Sequence, residues 1–167
     1  MDERSAEEFR EYMHGRWPGM VRLAYGLTGD QGHAEDVAAA AFARACASWP
    51  RVRRSGNPDA YVRQIVINEN RNRFRKRRVP EHLTGQLPEQ GVADATGRHD
   101  ERLALIAALQ RLGPRQRAVV VLRYWVGLTE TETAVTLGCS VGTVKSQASR
   151  ALAALRTSTE LVDGGQQ

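Results

Sequence analysis

The sequence predicts an all-α protein of two small helical domains joined by a flexible linker, and three observations carry that expectation. Apolar residues recur at helical spacings of three and four on both sides of residues 79–100, a stretch with two prolines, three glycines, four acids and no apolar period. Positive charge is concentrated, since residues 51–78 hold ten basic and two acidic side chains while residues 1–50 hold five and eight. Residues 128–156 read as two helices around a tight turn. The expected boundaries are a first domain at 1–78, a linker at 79–100, a second domain at 101–160 and a disordered tail at 161–167.

In chain order, Ser5-Ala6-Glu7-Glu8 reads as a capping box that opens a helix carrying Phe9, Tyr12 and Met13 on one face, until Trp17-Pro18 interrupts it. A second run, Met20 to Leu27, closes at Thr28-Gly29-Asp30. From Gln31 to Trp49, Ala38, Phe42, Ala45 and Trp49 share one helical face, Glu35 and Asp36 are placed in the first turn to suit the helix dipole, and Pro50 ends the element. Arg51 to Asn57 reads as a basic, glycine-containing loop. Pro58 then opens a helix whose buried stripe is Tyr61, Val62, Ile65 and Val66. Its continuation alternates Asn68, Asn70 and Asn72 with Arg71 and Arg73, and Phe74 precedes Arg75-Lys76-Arg77-Arg78. Glu69 is the only acid between residues 60 and 80. A solvated helix would intersperse acids with these bases, so a nucleic-acid face is the better reading: arginines take phosphates and asparagines bond base edges.

Helix resumes at Glu101 with Leu103, Ile106 and Leu109 or Gln110, then Leu112, and Gly113-Pro114 starts another through Val119, Leu122 and Trp125 that Gly127 ends. Thr129 and Glu132 then form a capping box. Gly138 supplies the left-handed residue that stops this helix near Leu137, and Ser140 caps the next one. Val144, Ala148, Leu152 and Leu155 make the inner face of that last helix. Its outer face is small, polar and basic, with Val141, Gly142, Thr143, Lys145, Ser146, Gln147, Ser149 and Arg150. This is the layout of a helix-turn-helix with its recognition helix second.

Composition excludes several classes. No apolar run approaches the roughly 18 residues of a membrane span, and the acidic start MDERSAEEF is unlike a secretion signal, so a cytoplasmic protein is expected. Cys46 and Cys139 are far apart and support neither a disulfide framework nor a zinc knuckle; both are expected as buried thiols. His14, His33, His82 and His99 are scattered, there is no glycine-rich phosphate loop, and the neighbours Glu35 and Asp36 point to different sides of a helix. The expectation is therefore no enzyme, no metal and no cofactor. The net +8 of residues 51–78 suits a polyanion, and the acidic N-terminal segment suits a protein partner.

The chain resembles bacterial sigma factors of the small, two-domain, extracytoplasmic-function class. The matching residues are Ala34-Glu35-Asp36-Val37 with Phe42, the Asn57-Pro58 to Asn68 helix with its arginine cluster, Leu112-Gly113-Pro114-Arg115-Gln116-Arg117, and Leu137 to Ser146. The last motif is shared in looser form with other helix-turn-helix regulators, so the combination carries the specificity. The resemblance implies sigma regions two and four, promoter recognition and strand opening, and docking on core RNA polymerase. Glu35, Asp36, Ala39 and Ala40 would face the clamp of the largest polymerase subunit, and region four would face the flap of the second subunit. Arg53, Arg54, Asn57, Tyr61, Asn68, Arg71, Asn72, Arg75, Arg77 and Arg78 would read and open the minus-ten element as double- and then single-stranded DNA. The recognition-helix residues would lie in the major groove at the minus-thirty-five element, and an anti-sigma protein is an implied partner. Ala39 and Ala40 depart from the glutamine and acidic residue common in the family, and Val126 stands where an acid is frequent.

Two rivals explain less. An autonomous dimeric repressor accounts for the helix-turn-helix but leaves the separate basic module idle, and no dimer seam is evident. A sigma-like protein that only sequesters a partner rests on Ala39 and Ala40 alone.

Overall fold

The computed structural model describes residues 1–77 and 97–163, and every regular element among them is helical. The order is α1 Glu3–Thr28, α2 Gln31–Ala47, α3 Trp49–Arg54, α4 Pro58–Arg77, α5 Gly97–Gln110, α6 Pro114–Val120, a π-helical turn Val121–Val126, α7 Glu130–Leu137 and α8 Val141–Asp163. Most of the expected linker, with Arg78, lies outside the described residues, as do residues 164–167.

Several local expectations change. The first helix starts earlier, because Asp2 is its cap and accepts from Ser5 N at 2.7 Å. Ser5 therefore sits inside the helix instead of capping it. Pro18 does not interrupt: α1 runs through it as one helix of 26 residues. A proline here forfeits one bond to the carbonyl four residues earlier, on exposed His14. Burial of Phe9 before it and of Met20, Leu23, Ala24 and Leu27 after it, on one core, offsets that loss. Gly29 ends α1 with φ 72° as expected.

Asp30 caps α2 by accepting from His33 N at 2.8 Å, and no acid occupies the first turn of α2. Glu35 and Asp36 therefore fall one turn later than expected, and the dipole partner is Asp30. Pro50 does not end the element either. Ser48 separates α2 from α3, and Pro50 lies in the first turn of α3, where its fixed φ is tolerated. Most of the expected 51–57 loop is thus helix, leaving only Ser55 to Asn57 outside it.

Asn57 caps α4, with Ala60 N donating to Asn57 Oδ1 at 3.0 Å. Val62 and Val66 are buried as expected and Tyr61 and Ile65 half-buried, but Ala60 and Ile67 are buried as well. A second face of α4 is therefore covered. Residues 97–100, expected as linker, already belong to α5, and α8 continues through Leu161 to Asp163, where a disordered tail was expected. Cys46 and Cys139 are free and only half-buried.

In the first half of the chain, Phe9 meets Trp49 edge-on at 5.3 Å between ring centroids, and Tyr12 and Trp17 pack on Phe42. Tyr12 OH and Arg16 Nε both donate to Asp59 Oδ1, at 3.0 and 2.9 Å, which pins the start of α4 to α1. Burial and the neighbouring Asp59 carboxylate push the Tyr12 phenol upward, so it stays protonated.

The second half packs on the first. One apolar cluster runs from Phe9, Leu23 and Leu27 through Phe42 and Val66 to Ile106, Leu109, Val121 and Leu122. Arg117, only 7% exposed, is the pivot of this junction. It donates to Leu109 O, Gln110 O and Leu112 O at the end of α5 and to Leu27 O at the end of α1, at 2.9 to 3.2 Å. Carbonyls at two helix ends thus receive one cation, an arrangement that suits the negative ends of the helix dipoles.

Candidate nucleic-acid and polymerase interface

The helix-turn-helix forms as its sequence dictates. Glu132 N donates to Thr129 Oγ1 at 3.1 Å and Thr129 N donates to Glu132 Oε2 at 2.7 Å, completing the capping box. Those bonds, the backbone one foremost, hold the Glu132 carboxyl below its usual range. Gly138 turns the chain with φ 65°, and Thr143 N donates to Ser140 Oγ at 3.1 Å. Val119, Ala134, Val144 and Ala148 form a small core between α6, α7 and α8, and Ala151, absent from the expected inner face, is fully buried beside them on α8.

The outer face of α8 presents Gly142, Thr143, Lys145, Ser146, Ser149 and Arg150 to solvent, with Val141 and Gln147 half-buried at its margin. All eight predicted residues therefore lie on one helix, and six of them are exposed on it. Lys145 Nζ lies 3.9 Å from Glu130 Oε2 and is 66% exposed, a loose pairing that a phosphate could replace.

The predicted melting residues lie on α3, α4 and the turn between them. Asn68, Arg71 and Arg75 are exposed and Asn72 is half-buried on α4. Arg75 Nη2 donates to Asn72 Oδ1 at 2.6 Å. Arg54 Nε is spent on Pro50 O at 3.0 Å, and Arg53 is paired with Glu8 of α1 at 2.6 Å. Tyr61 packs against the core, and exposed Phe74 is the better placed aromatic for stacking on a base. Asn57 spends its side-chain oxygen on the α4 cap. Arg77 belongs to the last turn of α4, and Arg78 lies outside the described residues.

Glu35, Asp36 and Ala39 are exposed on α2 and Ala40 is half-buried. Between α2 and α4 an open groove of about 660 Å³ is lined by Asp36, Val37, Ala40, Arg44, Asn72 and Arg73, among others. Two ion pairs cross it, Arg73 to Asp36 at 3.4 Å and Arg44 to Glu69 at 2.5 Å. Ala40, with its small side chain, lines this groove, and Ala39 is exposed outside it.

Sequence reading missed the junction between the halves. Arg117 was visible only as part of a motif, and nothing local marks Arg22, Gly26 and Trp125 as partners across about a hundred residues. Among the described residues no cluster of His, Cys, Asp and Glu could hold a metal ion, and no helix is long and apolar enough to cross a membrane.

A helix-turn-helix in one module and a basic, asparagine-bearing helix beside an open groove in the other are the arrangement of a promoter-recognition protein of the sigma type. The chain belongs to the sigma-70 family of RNA polymerase sigma factors, in its extracytoplasmic-function group, matching sigma-70 region 2 over residues 17–79 and sigma-70 region 4 over residues 102–155. It is 42% identical to the RNA polymerase sigma-E factor of Streptomyces coelicolor, over 89% of this chain and 84% of that protein. It is 33% identical to the ECF RNA polymerase sigma factor SigL of Mycobacterium tuberculosis, over 81% and 79%. Among solved structures, the sigma factor RpoE in complex with the anti-sigma factor NepR from Bartonella quintana shares the fold at TM-score 0.67 and 24% identity, over 90% of this chain and 96% of that one. CnrH in complex with the cytosolic domain of CnrY does so at TM-score 0.65 and 22% identity, over 95% and 90%.

Proposed function

We propose that this sigma factor acts as the dissociable promoter-specificity subunit of bacterial RNA polymerase, with its two modules, within about 1–78 and 101–160, dividing the work. The observation that carries this reading is the pairing, in one chain, of an accessible recognition helix with a separate basic helix that adjoins an open docking groove. On α8, Lys145 and Arg150 take phosphates while Thr143, Ser146, Gln147 and Ser149 meet base edges of the minus-thirty-five element, with Val141 and Gly142 allowing close approach. On α4, Arg71, Arg75 and Lys76 attract the minus-ten strand, joined by Arg77 and Arg78 beyond. Asn68 and Asn72 select among its bases and Phe74 offers a stacking face.

Unstacking a base costs a few kcal/mol, which contacts to the displaced strand recover. Strand opening then needs placement rather than catalysis, and no nucleotide-hydrolysing motif is required. Glu35, Asp36, Ala39 and Ala40 form the contact with the polymerase clamp, and the second module meets the flap. The protein works in the cytoplasm with polymerase. That CnrH and RpoE are each found with a partner, CnrY and the anti-sigma factor NepR, supports an anti-sigma protein for this chain too.

The test is promoter binding by polymerase reconstituted with Asn68→Ala, Asn72→Ala or Ser146→Ala chains. The two α4 variants lose discrimination at the downstream element and the α8 variant at the upstream one. Equal loss at both elements for all three would contradict the division of work.

A further inference from the structure

Three polar side chains of α1 hold the turn between α3 and α4 from both of its ends. Glu8, Tyr12 and Arg16 are spaced by four and so share one face of the helix. Before the turn, Arg53 of α3 donates from Nη1 to Glu8 Oε2 at 2.6 Å. After it, Tyr12 OH and Arg16 Nε both donate to Asp59 Oδ1, in the first turn of α4. The stripe is itself fixed in place. Phe9 and Tyr12 pack on Trp49 at 5.3 and 5.1 Å between ring centroids, which seats α1 on α3, and Arg4 Nε meets the other Glu8 oxygen at 3.3 Å.

Between these anchors lie Ser55, Gly56 and Asn57, all exposed. Gly56 has φ 77°, in the left-handed region, and a Cβ added there would meet nothing within 4 Å. The outer side of the turn is therefore open. With no apolar side chain of its own to pack, the turn takes its shape from the Ser55 N to Val52 O bond, the Asn57 cap and whatever holds its two ends.

The arginines of α3 differ accordingly. Arg54 folds back on Pro50 O, and Arg51 is exposed with no side-chain bond among the described residues. Arg53 is placed by another element. Its bond to Glu8 engages one terminal nitrogen and leaves Nε and Nη2 without a partner among the described residues. A guanidinium anchored in this way presents its remaining donors to a base edge or phosphate with less entropy left to lose. On the far side of Gly56, Asn57 commits Oδ1 to the α4 cap and keeps its Nδ2 donor.

As stabilising contacts the anchors are weak, since the Glu8 and Arg53 side chains are 32% and 51% exposed. Their consequence is position. Recognition groups must be held to within about 0.5 Å by the shell around them, which a bare three-residue turn does not supply.

We infer that Glu8, Tyr12 and Arg16 are positioning residues for minus-ten recognition: this stripe of α1 clamps both ends of the Ser55–Asn57 turn and sets where Arg53 and Asn57 meet the displaced strand. The inference rests on the promoter-binding reading above. The three act through Arg53 and Asn57 and need not touch DNA themselves.

The test is selection of fork-junction DNA, randomised at the minus-ten positions, by polymerase reconstituted with the full chain, read as base preference at each position. Glu8→Gln, Tyr12→Phe, Arg53→Ala and the double variant of Glu8→Gln with Arg53→Ala are compared with the wild type. Glu11→Gln removes the same charge from an exposed place on the same helix and is the control. Should Tyr12→Phe not fold, Arg16→Gln loosens the same anchor from an exposed side chain. Amide hydrogen exchange of the free chains over residues 54–60 reports the clamp itself.

Glu8→Gln should lose at least fivefold in preference at the positions that Arg53→Ala affects, and should add nothing in the double variant. Tyr12→Phe should lose at least twofold at those positions or adjoining ones. Removing an acid favours phosphate contact, so Glu8→Gln should bind scrambled fork DNA as tightly as the wild type or more tightly, whereas general loosening of the fold would weaken it. Exchange over residues 54–60 should quicken at least threefold in both variants and stay at the wild-type rate in Glu11→Gln.

Unchanged exchange in both variants overturns the clamp. Faster exchange with wild-type base preferences, an equal loss in Glu11→Gln, or a Glu8→Gln loss that persists in full in the double variant overturns the positioning role. If the wild type itself selects no sequence, the promoter reading fails and takes the positioning role with it, while exchange still decides whether the clamp exists.

Discussion

Asp36 Oδ2 lies 3.4 Å from Arg73 Nη1 and 3.5 Å from Nη2, so the exposed carboxylate on α2 touches the basic helix α4. Asp36 is 66% exposed and Arg73 33%, which makes the pair a weak contributor to stability. Asp36→Ala should change unfolding free energy by less than about 0.5 kcal/mol. It should nonetheless reduce retention on core polymerase, read by co-elution in size-exclusion chromatography. Unchanged retention would move the docking face away from α2.

Among the described residues Lys145 is paired with Glu130, at a loose 3.9 Å. Lys145→Ala should weaken promoter binding by about 1 kcal/mol and lower the slope of log K against log salt by about one, as loss of one phosphate contact requires. Titration at several salt concentrations checks both, and a loss below about 0.5 kcal/mol with the slope intact would assign phosphate binding to other groups.

Thr129 carries the capping box of α7. Thr129→Ala should cost about 1 kcal/mol, measured by denaturant unfolding. The Glu132 carboxyl is held low chiefly by the Thr129 backbone amide, so its folded-state pKa lies below its unfolded value. The stabilisation is then present above the ordinary carboxylate range and lost as pH falls through the depressed value. Acid titration of stability should show a smaller drop at low pH in Glu132→Gln than in the wild type.

Arg117 satisfies four carbonyls from a buried position, and desolvation pulls its pKa down from the ordinary value. Arg117→Met should destabilise the chain by about 3 kcal/mol by leaving those acceptors without their donor. Arg117→Lys should rescue only part of this, because one ammonium cannot reproduce the planar fork. Thermal unfolding of both variants checks the order.

What was legible in the sequence was local. The Thr129–Glu132 box, Gly138 and the Ser140 cap are each fixed within four residues, and the helix-turn-helix formed as read. Pro18 misled because its local cost is outweighed by burial on both sides of it, a tertiary effect. Pro50 misled because proline serves the first turn of a helix as readily as it ends one. The site residues on α8 were found as a surface because helical periodicity sorts inner from outer faces. Those on α3 and α4 were only partly so, since Arg53, Arg54 and Asn57 are engaged by Glu8, Pro50 and the α4 cap. The junction of Arg22, Gly26 and Trp125 had no local signal, because a glycine within a helix and a tryptophan near its end each have commoner explanations.

Run-off transcription with purified bacterial core polymerase on a library of promoter fragments, with and without this protein, tests the central claim most directly. Protein-dependent transcripts that share two upstream elements at fixed spacing are the expected result. Absence of any such transcript, in a preparation that also fails to co-elute with core polymerase, would contradict the account.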